Sequence, residues 1–303
     1  MYDEALFIIV VYCLICDVYP ALYPQGVRHC GFAPQLTDEE ALTIVIVGEY
    51  LGLGEDKAIF EYFYKHYRAW FPGLSERSLL VRQWANLWHV EQNIWQALVK
   101  QSGANRSLFQ TIDTLPIPVC AVKRHKRRQV FCDDVLYEAS VGYCASKDWF
   151  YFGFKGGIRI AENGMIVHAP LLMARSHDSQ HTDTLLSGIP PGVFALGDKA
   201  FLDEEKQTSY RDQYDLRLLT PLRAGMQPNA FVLPKALSGI RQLVETVNGQ
   251  LVKRFKVQEM RVRKGWTLLA RWFRKILAHT VCVWLNLQLG RKPLDFAGLV
   301  SVK

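Results

Sequence analysis

The sequence predicts an α/β protein in which a mixed sheet is flanked by helices and preceded by a helical region. Three observations predict this architecture. Helical periodicity runs through the N-terminal third of the chain. Short β-type runs then begin near residue 108, and further on they alternate with helices, which is typical of a mixed sheet covered by helices. The chain has 303 residues, of which 50% are hydrophobic and 21% charged, so it can bury a sizeable core.

The predicted N-terminal helices are separated by short turns, several of which contain glycine. Thr37 and Glu40 form a capping box in front of an apolar run at residues 41–51. A second helix is predicted over residues 56–70 and a third over residues 75–100. Helices in this arrangement suit either a helix-turn-helix that binds DNA or a plain helical bundle, and the residues leave both interpretations open.

The apolar run at residues 5–15 is predicted to be a buried helix. Asp3 and Glu4 precede it where a secretion signal needs positive charge, and the run is too short to span a bilayer. The seven cysteines form no dense framework, so free, buried thiols in a cytoplasmic compartment are expected. The alternative is a zinc site formed by three of these cysteines and one histidine, although their spacing fits no common zinc finger. The four residues are Cys13, Cys16, His29 and Cys30.

The predicted sheet begins at residues 109–114 and continues in an aromatic run at residues 149–155. Asn163 and Gly164 are the strongest short hairpin signal in the chain. The runs on either side of this hairpin are residues 158–162 and 165–173. Helices and strands alternate afterwards, with helices predicted at 176–186, 203–212, 238–253 and 267–289 and strands at 193–196 and 216–219.

Three acidic residues stand where α/β enzymes place their ligands. Asp113 lies at or near the end of the first predicted strand, Asp198 follows a later strand, and Glu245 lies inside the helix after the last strand. Because ligands gather beyond the strand ends of an open α/β sheet, these carboxylates can converge there. Carboxylates suit hard dications, and two such ions about 3.5–4 Å apart serve phosphodiester chemistry. Spacing alone is a weak signal, because the chain has 29 acidic residues and aspartate is common in turns.

The net charge of +7 and the pI of about 9.0 favour an anionic partner, with nucleic acid first and an acidic membrane surface as the rival. A dense basic run at residues 123–128 is predicted to contact phosphate, because such a block repels itself without an anionic partner; a solvated loop is the alternative.

A second basic stretch interleaves with Phe255, Trp266 and Trp272. We predict that its charges face DNA and that the aromatic rings belong to the core, with stacking on exposed bases as the alternative. The basic residues are Lys253, Arg254, Lys256, Arg261, Arg263, Lys264, Arg271, Arg274 and Lys275.

His177, Asp178 and His181 share a predicted helix face and have a metal-binding alternative. No further ligand follows nearby, so a helix start with Asp178 near its cap is favoured. The chain contains no GxxxxGK[ST] run and no GxSxG run, so neither a nucleotide-binding loop nor a serine nucleophile is indicated.

An ordered set of sequence blocks resembles the IS982 family of bacterial insertion-sequence transposases. The blocks with the three acidic residues are 112–120 (IDTLPIPVC), 196–201 (LGDKAF) and 240–246 (IRQLVET). Two further blocks, 152–155 (FGFK) and 219–223 (LTPLR), stand between them in the family's order. The resemblance covers roughly residues 36–290, and the ordered set is more specific than any single block.

The resemblance implies a DDE transposase with an RNase H-like core. Asp113, Asp198 and Glu245 would be both the catalytic residues and the ligands of two Mg²⁺ ions, for which Mn²⁺ would substitute. It also implies cleavage and joining of double-stranded DNA at the element's terminal inverted repeats and in target DNA. A homodimer or larger assembly on DNA is expected, in the bacterial cytoplasm with the nucleoid.

Three regions are expected on this basis: a helical N-terminal region at 1–105 with possible DNA binding, the catalytic core at 106–260 and a basic helical tail at 261–303. Two alternatives stay open: an RNase H-like nuclease that cuts without joining, and a non-catalytic DNA-binding protein derived from a transposase. The expected DNA contacts are Lys123, Arg124, Lys126, Arg127, Arg128, Lys199, Arg223, Arg241, Lys253, Arg254, Arg261, Arg263 and Lys264.

Overall fold

The computed structural model describes residues 2–28, 31, 33–124, 131, 138–227 and 229–300. The chain divides into two compact units. Residues 1–98 and 251–303 form the first unit, and residues 99–250 form the second. The predicted regions 1–105, 106–260 and 261–303 stay predictions of functional domains, since the two units are defined by compactness alone.

The first unit is helical and is built around α2. Its helices are α1 (Glu4–Leu22), α2 (Asp38–Tyr50), α3 (Asp56–His66), α4 (Arg77–Asn86), most of α5 (Trp88–Gln101) and α9 (Gly265–Gln288). The predicted capping box begins α2: Glu40 N–H donates to Thr37 Oγ1, and Thr37 N–H donates to the Glu40 carboxylate. Nearly every side chain of α2 from Ala41 onward is buried, which suits a helix that is apolar on all sides.

Two predictions for the helical region were wrong in detail. The single helix predicted over residues 75–100 is broken at Leu87, which caps α4 and is buried. No proline or glycine stands there, so packing rather than local propensity decides the break. The apolar run at residues 5–15 is only partly buried: Leu6 and Ile9 are exposed on α1.

The helix that contains this run is also longer than the run. Within the described residues, α1 is the one helix that is long and apolar enough to cross a membrane. One such helix is weak evidence for a membrane span, because signal sequences and the core helices of soluble proteins can be equally long and apolar.

The second unit contains a seven-stranded mixed sheet. The strands are β1 (Phe109–Cys120), β2 (Ser140–Cys144), β3 (Trp149–Ala161), β4 (Ile166–His168), β5 (Leu171–Met173), β6 (Phe194–Leu196) and β7 (Arg217–Leu219). The order along the sheet is β2-β3-β1-β6-β7, and β4 and β5 also pair with β3. The β1, β3 pair is antiparallel, whereas β6 is parallel to both β1 and β7. The predicted mixed sheet and the hairpin at Asn163-Gly164 are confirmed.

β1 is twice as long as the sequence predicted. Its pairing with β3 continues from Gln110 to Cys120, well past the last residue that pairs with β6, which is Thr111. Pro116 and Pro118 lie beyond Thr111, in the part of β1 that does not pair with β6, and proline is accepted at such edge positions. Asp113 therefore lies inside β1, whereas the sequence predicted a position at or near the end of this strand.

Helices cover both faces of this sheet. α6 (Thr182–Leu186) and α7 (Glu204–Tyr214) lie on one face, where Ile112, Leu185, Phe201 and Tyr210 share a core. α8 (Ser238–Lys253), predicted with these bounds, lies on the other: Thr111 Oγ1 donates to the Ile240 carbonyl at 3.4 Å. The helix predicted over residues 176–186 is a 3-10 turn at Asp178–His181 followed by the short α6.

Candidate active site

Asp113 and Asp198 are brought together by the register of two parallel strands. Thr111 of β1 pairs with Leu196 of β6, and each aspartate lies two residues further along its strand direction. Neighbouring strands lie about 4.8 Å apart, so the two aspartates come out side by side where β6 ends. Alternation along β1 sends Thr111 and Asp113 to the face covered by α8 and Ile112 to the opposite core.

Hydrogen bonds hold both carboxylates in place. The Thr114 N–H donates to Asp113 Oδ1 at 2.8 Å, and the Asn248 side chain donates from Nδ2 to Asp113 Oδ2 at 2.8 Å. Asp198 caps the short turn that follows β6, where the Ala200 N–H donates to its Oδ1 at 2.8 Å. Each aspartate is therefore oriented by the backbone beside it as well as by the sheet.

Burial and neighbouring carboxylates make both carboxyl groups reluctant to ionise. Burial, followed by the negative charges of Asp198 and Asp178, raises the pKa of Asp113 to about 7. Burial, followed by the charge of Asp178, also raises the pKa of Asp198. The Arg241 guanidinium acts in the opposite direction on both pKa values. A site of half-buried, crowded carboxylates is one that a cation would stabilise.

Sequence reasoning did not place Asp178 at this site. Its carboxylate accepts from Thr114 Oγ1 at 3.0 Å and from Lys155 Nζ at 2.7 Å. Lys155 Nζ also donates to the Ser176 carbonyl, so the lysine fastens the segment before α6 to β3. Asp178 was considered only as a helix cap or a ligand beside two histidines. The only sequence signal for its position was its place after the β3–β5 strands.

Helix α8 presents three polar residues on the side nearest this site. Arg241 and Glu245 form an ion pair of 3.3 Å, and Asn248 follows one turn later. Val244, Val247 and Leu251 are the buried side of the helix. Asn248 touches Asp113, whereas the Glu245 side chain is 63% exposed and has its contact with Arg241 instead. A further ionised carboxylate beside Asp113, Asp198 and Asp178 would be repelled, which is consistent with this arrangement.

The donor set fits a hard cation only in part. Asp113, Asp198 and Asn248 offer oxygen donors of the kind that Mg²⁺ and Mn²⁺ accept, and Asn248 Oδ1 is buried without a hydrogen-bond partner among the described residues. Over the ranges that the structure covers, however, no three His, Cys, Asp or Glu side chains are grouped closely enough to hold a metal ion. Glu245 would join the pair only after leaving Arg241.

Two of the expected DNA contacts lie next to Asp198. Lys199 follows it directly, and Arg223 Nη2 donates to the Lys199 carbonyl at 3.4 Å. Both side chains are exposed, and Arg241 is half-buried beside the aspartates. Of these three cationic residues, Arg241 is the one that lowers the pKa values of both aspartates.

The second basic stretch divides into exposed and internal residues. Its exposed members include Lys253, Arg261, Arg263 and Lys264. Arg254 is half-buried and donates to the Tyr50 carbonyl at 2.9 Å while lying over the Tyr50 ring.

The basic stretch was predicted to face DNA, and this prediction was wrong for its three residues on α9, which are Arg271, Arg274 and Lys275. Arg274 and Lys275 are buried and pair with Glu49, each at 2.6 Å. Arg271 pairs with Asp56. These acidic partners come from α2 and α3, which the local basic pattern does not reveal. Phe255 and Trp272 are buried as predicted, whereas Trp266 is 48% exposed.

The other sequence-based candidates have separate outcomes. Lys123 is exposed, whereas Lys126, Arg127, Arg128 and the side chain of Arg124 lie outside the described residues, as do His29 and Cys30. Of the cysteines expected to be buried, Cys13 is exposed.

The three residues at 177–181 have separate contacts. The His177 ring accepts from the Ser179 N–H as a cap, and His181 Nε2 contacts the Met173 carbonyl. Asp178 is in the ion pair with Lys155.

Residues 104–265, just over half of the chain, match the family model described as the transposase DDE domain. This span contains β1, β6 and the whole of α8, and therefore Asp113, Asp198 and Glu245. Comparisons with curated proteins and with solved structures gave no significant match.

Proposed function

The chain belongs to the transposase DDE domain family, and on that premise we propose that it cleaves and joins DNA at the ends of an insertion sequence related to the IS982 family. The family makes it a DNA-processing enzyme. The finer assignment is supported by the ordered blocks around Asp113, Asp198 and Glu245 and by the mixed sheet, which suits an RNase H-like core.

The observation that carries the proposal is the convergence of Asp113 and Asp198. The residues are 85 positions apart in sequence (198 − 113) but lie side by side where two parallel strands meet. Burial, the first cause of both raised pKa values, disfavours the ionised carboxylates, and a bound cation would stabilise them. Two crowded, hydrogen-bonded carboxylates at the strand ends suit two-metal phosphodiester chemistry.

Asp113 and Asp198 would hold two divalent ions, Mg²⁺ or Mn²⁺, with Glu245 as a further ligand. When bound, such ions supply a nucleophile at neutral pH and offset the charge that develops on the phosphate. Arg241 would release Glu245 and turn toward a DNA phosphate, which a guanidinium can bind through two parallel hydrogen bonds. Lys199 and Arg223 would position the same backbone.

Cleavage of a labelled duplex that carries the DNA flanking this protein's own gene tests the proposal. Wild type is compared with Asp198→Asn in the presence of Mg²⁺ or Mn²⁺. Asp212→Asn, which makes the same change on the exposed side of α7, is the control. Metal-dependent cutting by wild type and the control, with a loss of at least about 100-fold in Asp198→Asn, is the expected result.

Each of the other outcomes would indicate a different function or a different site. Equal cutting by Asp198→Asn and wild type would remove Asp198 from the site. Cutting without strand transfer to a second duplex would indicate a nuclease. DNA binding without any cutting would indicate a non-catalytic binding protein. The exposed Glu245, paired with Arg241, is consistent with this alternative.

A further inference from the structure

Asn248 is the side chain of α8 that contacts Asp113. Its Nδ2 donates to Asp113 Oδ2 at 2.8 Å. The other end of the same amide, Oδ1, is buried and, within the part of the chain that the structure describes, has no hydrogen-bond partner. A buried carbonyl oxygen without a donor is costly, so a cation or a donor that reached Asn248 Oδ1 would stabilise it.

The amide oxygen of Asn248 can bind a cation without adding negative charge to the site. An asparagine oxygen is a neutral donor of the type that hard divalent ions accept. Asp113 and Asp198 already bring two negative charges to the sheet edge, and Asp178 lies near enough to act on both. A neutral oxygen adds a ligand without adding repulsion. Glu245, one turn earlier, is engaged with Arg241.

We propose that Asn248 supplies a neutral oxygen ligand to the divalent cation held by Asp113 and Asp198, and that its amide nitrogen holds Asp113 in position when no cation is bound. The inference rests on the proposed function, because it assumes a cation at these two aspartates. It extends that function by assigning a ligand outside the three acidic residues. The same residue then has two roles through the two ends of one amide.

Mn²⁺ binding to the full-length protein without DNA tests the inference, with free Mn²⁺ measured by electron paramagnetic resonance. Asn248→Leu removes both the oxygen and the N–H at similar volume. Asn248→Asp keeps an oxygen but, when ionised, cannot donate to Asp113. Thr246→Ala, at an exposed position of α8, is the control. Circular dichroism and thermal unfolding check that each variant is folded.

Asn248→Leu is expected to weaken Mn²⁺ binding by roughly 10–100-fold, the effect of removing a supporting group from a metal site. Asn248→Asp is expected to bind Mn²⁺ at least as tightly as wild type. Wild-type affinity in Asn248→Leu would overturn the inference. A loss in Asn248→Asp as large as in Asn248→Leu would also overturn it, because the N–H alone would then matter. If Asn248→Leu does not fold, Asn248→Asp is compared with wild type instead, and weaker Mn²⁺ binding by Asn248→Asp would overturn the inference.

Asp198→Asn separates this inference from the proposed function. Loss of Mn²⁺ binding in Asp198→Asn, together with wild-type binding in Asn248→Leu, would defeat only the role of Asn248. Wild-type binding in Asp198→Asn, or no binding by the wild-type protein, would defeat the proposed cation site and the inference with it.

Discussion

Asp113 shows how its surroundings set the behaviour of a single side chain. Its pKa rises from 3.8 to about 7, so the folded protein binds this proton more tightly than the unfolded chain does. The resulting contribution to stability is complete below the unfolded pKa and is lost as the pH rises through the folded pKa. Without a cation, the site is therefore a source of instability at neutral and alkaline pH.

Asp113→Asn is expected to stabilise the cation-free protein at about pH 8, by at most roughly 4 kcal/mol from a shift of about three pKa units. The gain should be small near pH 4 and should grow until about pH 7, because over this range the Asp113 carboxyl ionises in the unfolded wild-type chain but keeps its proton in the folded protein. Urea unfolding at a series of pH values, without divalent ions, measures it. Glu205→Gln, at an exposed carboxylate on α7, should show no such growth. A difference that does not change with pH would contradict the assignment.

At the scale of the element, glycine lets two strands approach closely where β1 bends. A Cβ added to Gly153 of β3 would overlap the carbonyl oxygen of Ile117 on β1. The register of this pair also shifts between Pro118 and Cys120. Gly249, in the interior of α8, has open space at the corresponding position. The two glycines are thus present for different reasons.

Gly153→Ala is expected to lower the free energy of unfolding by about 1–3 kcal/mol, because backbone cannot give way as a flexible side chain does. Gly249→Ala is the matched control and should raise it by about 0.5–1 kcal/mol through the helix preference of alanine. Denaturant unfolding of both variants checks the contrast. A neutral effect of Gly153→Ala would show that the strands can separate without cost.

Helices α2 and α9 are joined by ion pairs inside the first unit. Glu49 accepts from Arg274 Nε and Lys275 Nζ, and all three side chains are buried. Burial lowers the pKa of Lys275 to about 8, and Glu49 opposes this shift. Removal of Glu49 would leave two buried cations with less countercharge.

Glu49→Gln is expected to destabilise the protein by roughly 3–5 kcal/mol, the cost of breaking a buried pair from one side. Glu61→Gln makes the same change in the exposed pair with Lys57 and should cost less than about 0.5 kcal/mol. Thermal or urea unfolding of the two variants provides the comparison. Equal effects would indicate that water reaches the Glu49 cluster.

At the scale of the whole molecule, the positive charge is divided between internal pairs and exposed surface. Arg274 and Lys275 contribute to the net charge of +7 but are committed to acidic partners inside the fold. Arg261, Arg263 and Lys264 are exposed in the segment before α9. Exposed cations are the ones that can release counterions from DNA.

Replacing Arg261, Arg263 and Lys264 with alanine is expected to reduce the steepness of the plot of log K against log salt by up to about 2.7, or about 0.9 for each phosphate that the variant no longer neutralises. Fluorescence anisotropy with a labelled duplex at several salt concentrations measures the slope. A variant with the same change of charge at the exposed positions Lys57, Lys65 and Arg68 is the control. Identical slopes in the two variants would mean that net charge alone matters.

The sequence by itself determined most of the helices and strands and indicated that the two aspartates converge. Periodicity gave the bounds of α8, turn chemistry gave the hairpin at Asn163-Gly164, and strand-end reasoning brought Asp113 and Asp198 toward one sheet edge. These features depend on residues close together in the chain, and local patterns of burial and turn preference report on them directly.

Only the tertiary structure decided which polar side chains meet. It placed Asn248 rather than Glu245 against Asp113, brought Asp178 beside the aspartates and turned Arg274 and Lys275 inward. Apolar periodicity shows which face of a helix is buried, but it does not identify the partner of a charge. That partner comes from a segment far away in sequence, and its distance and burial set whether a carboxylate ionises, pairs or binds a cation.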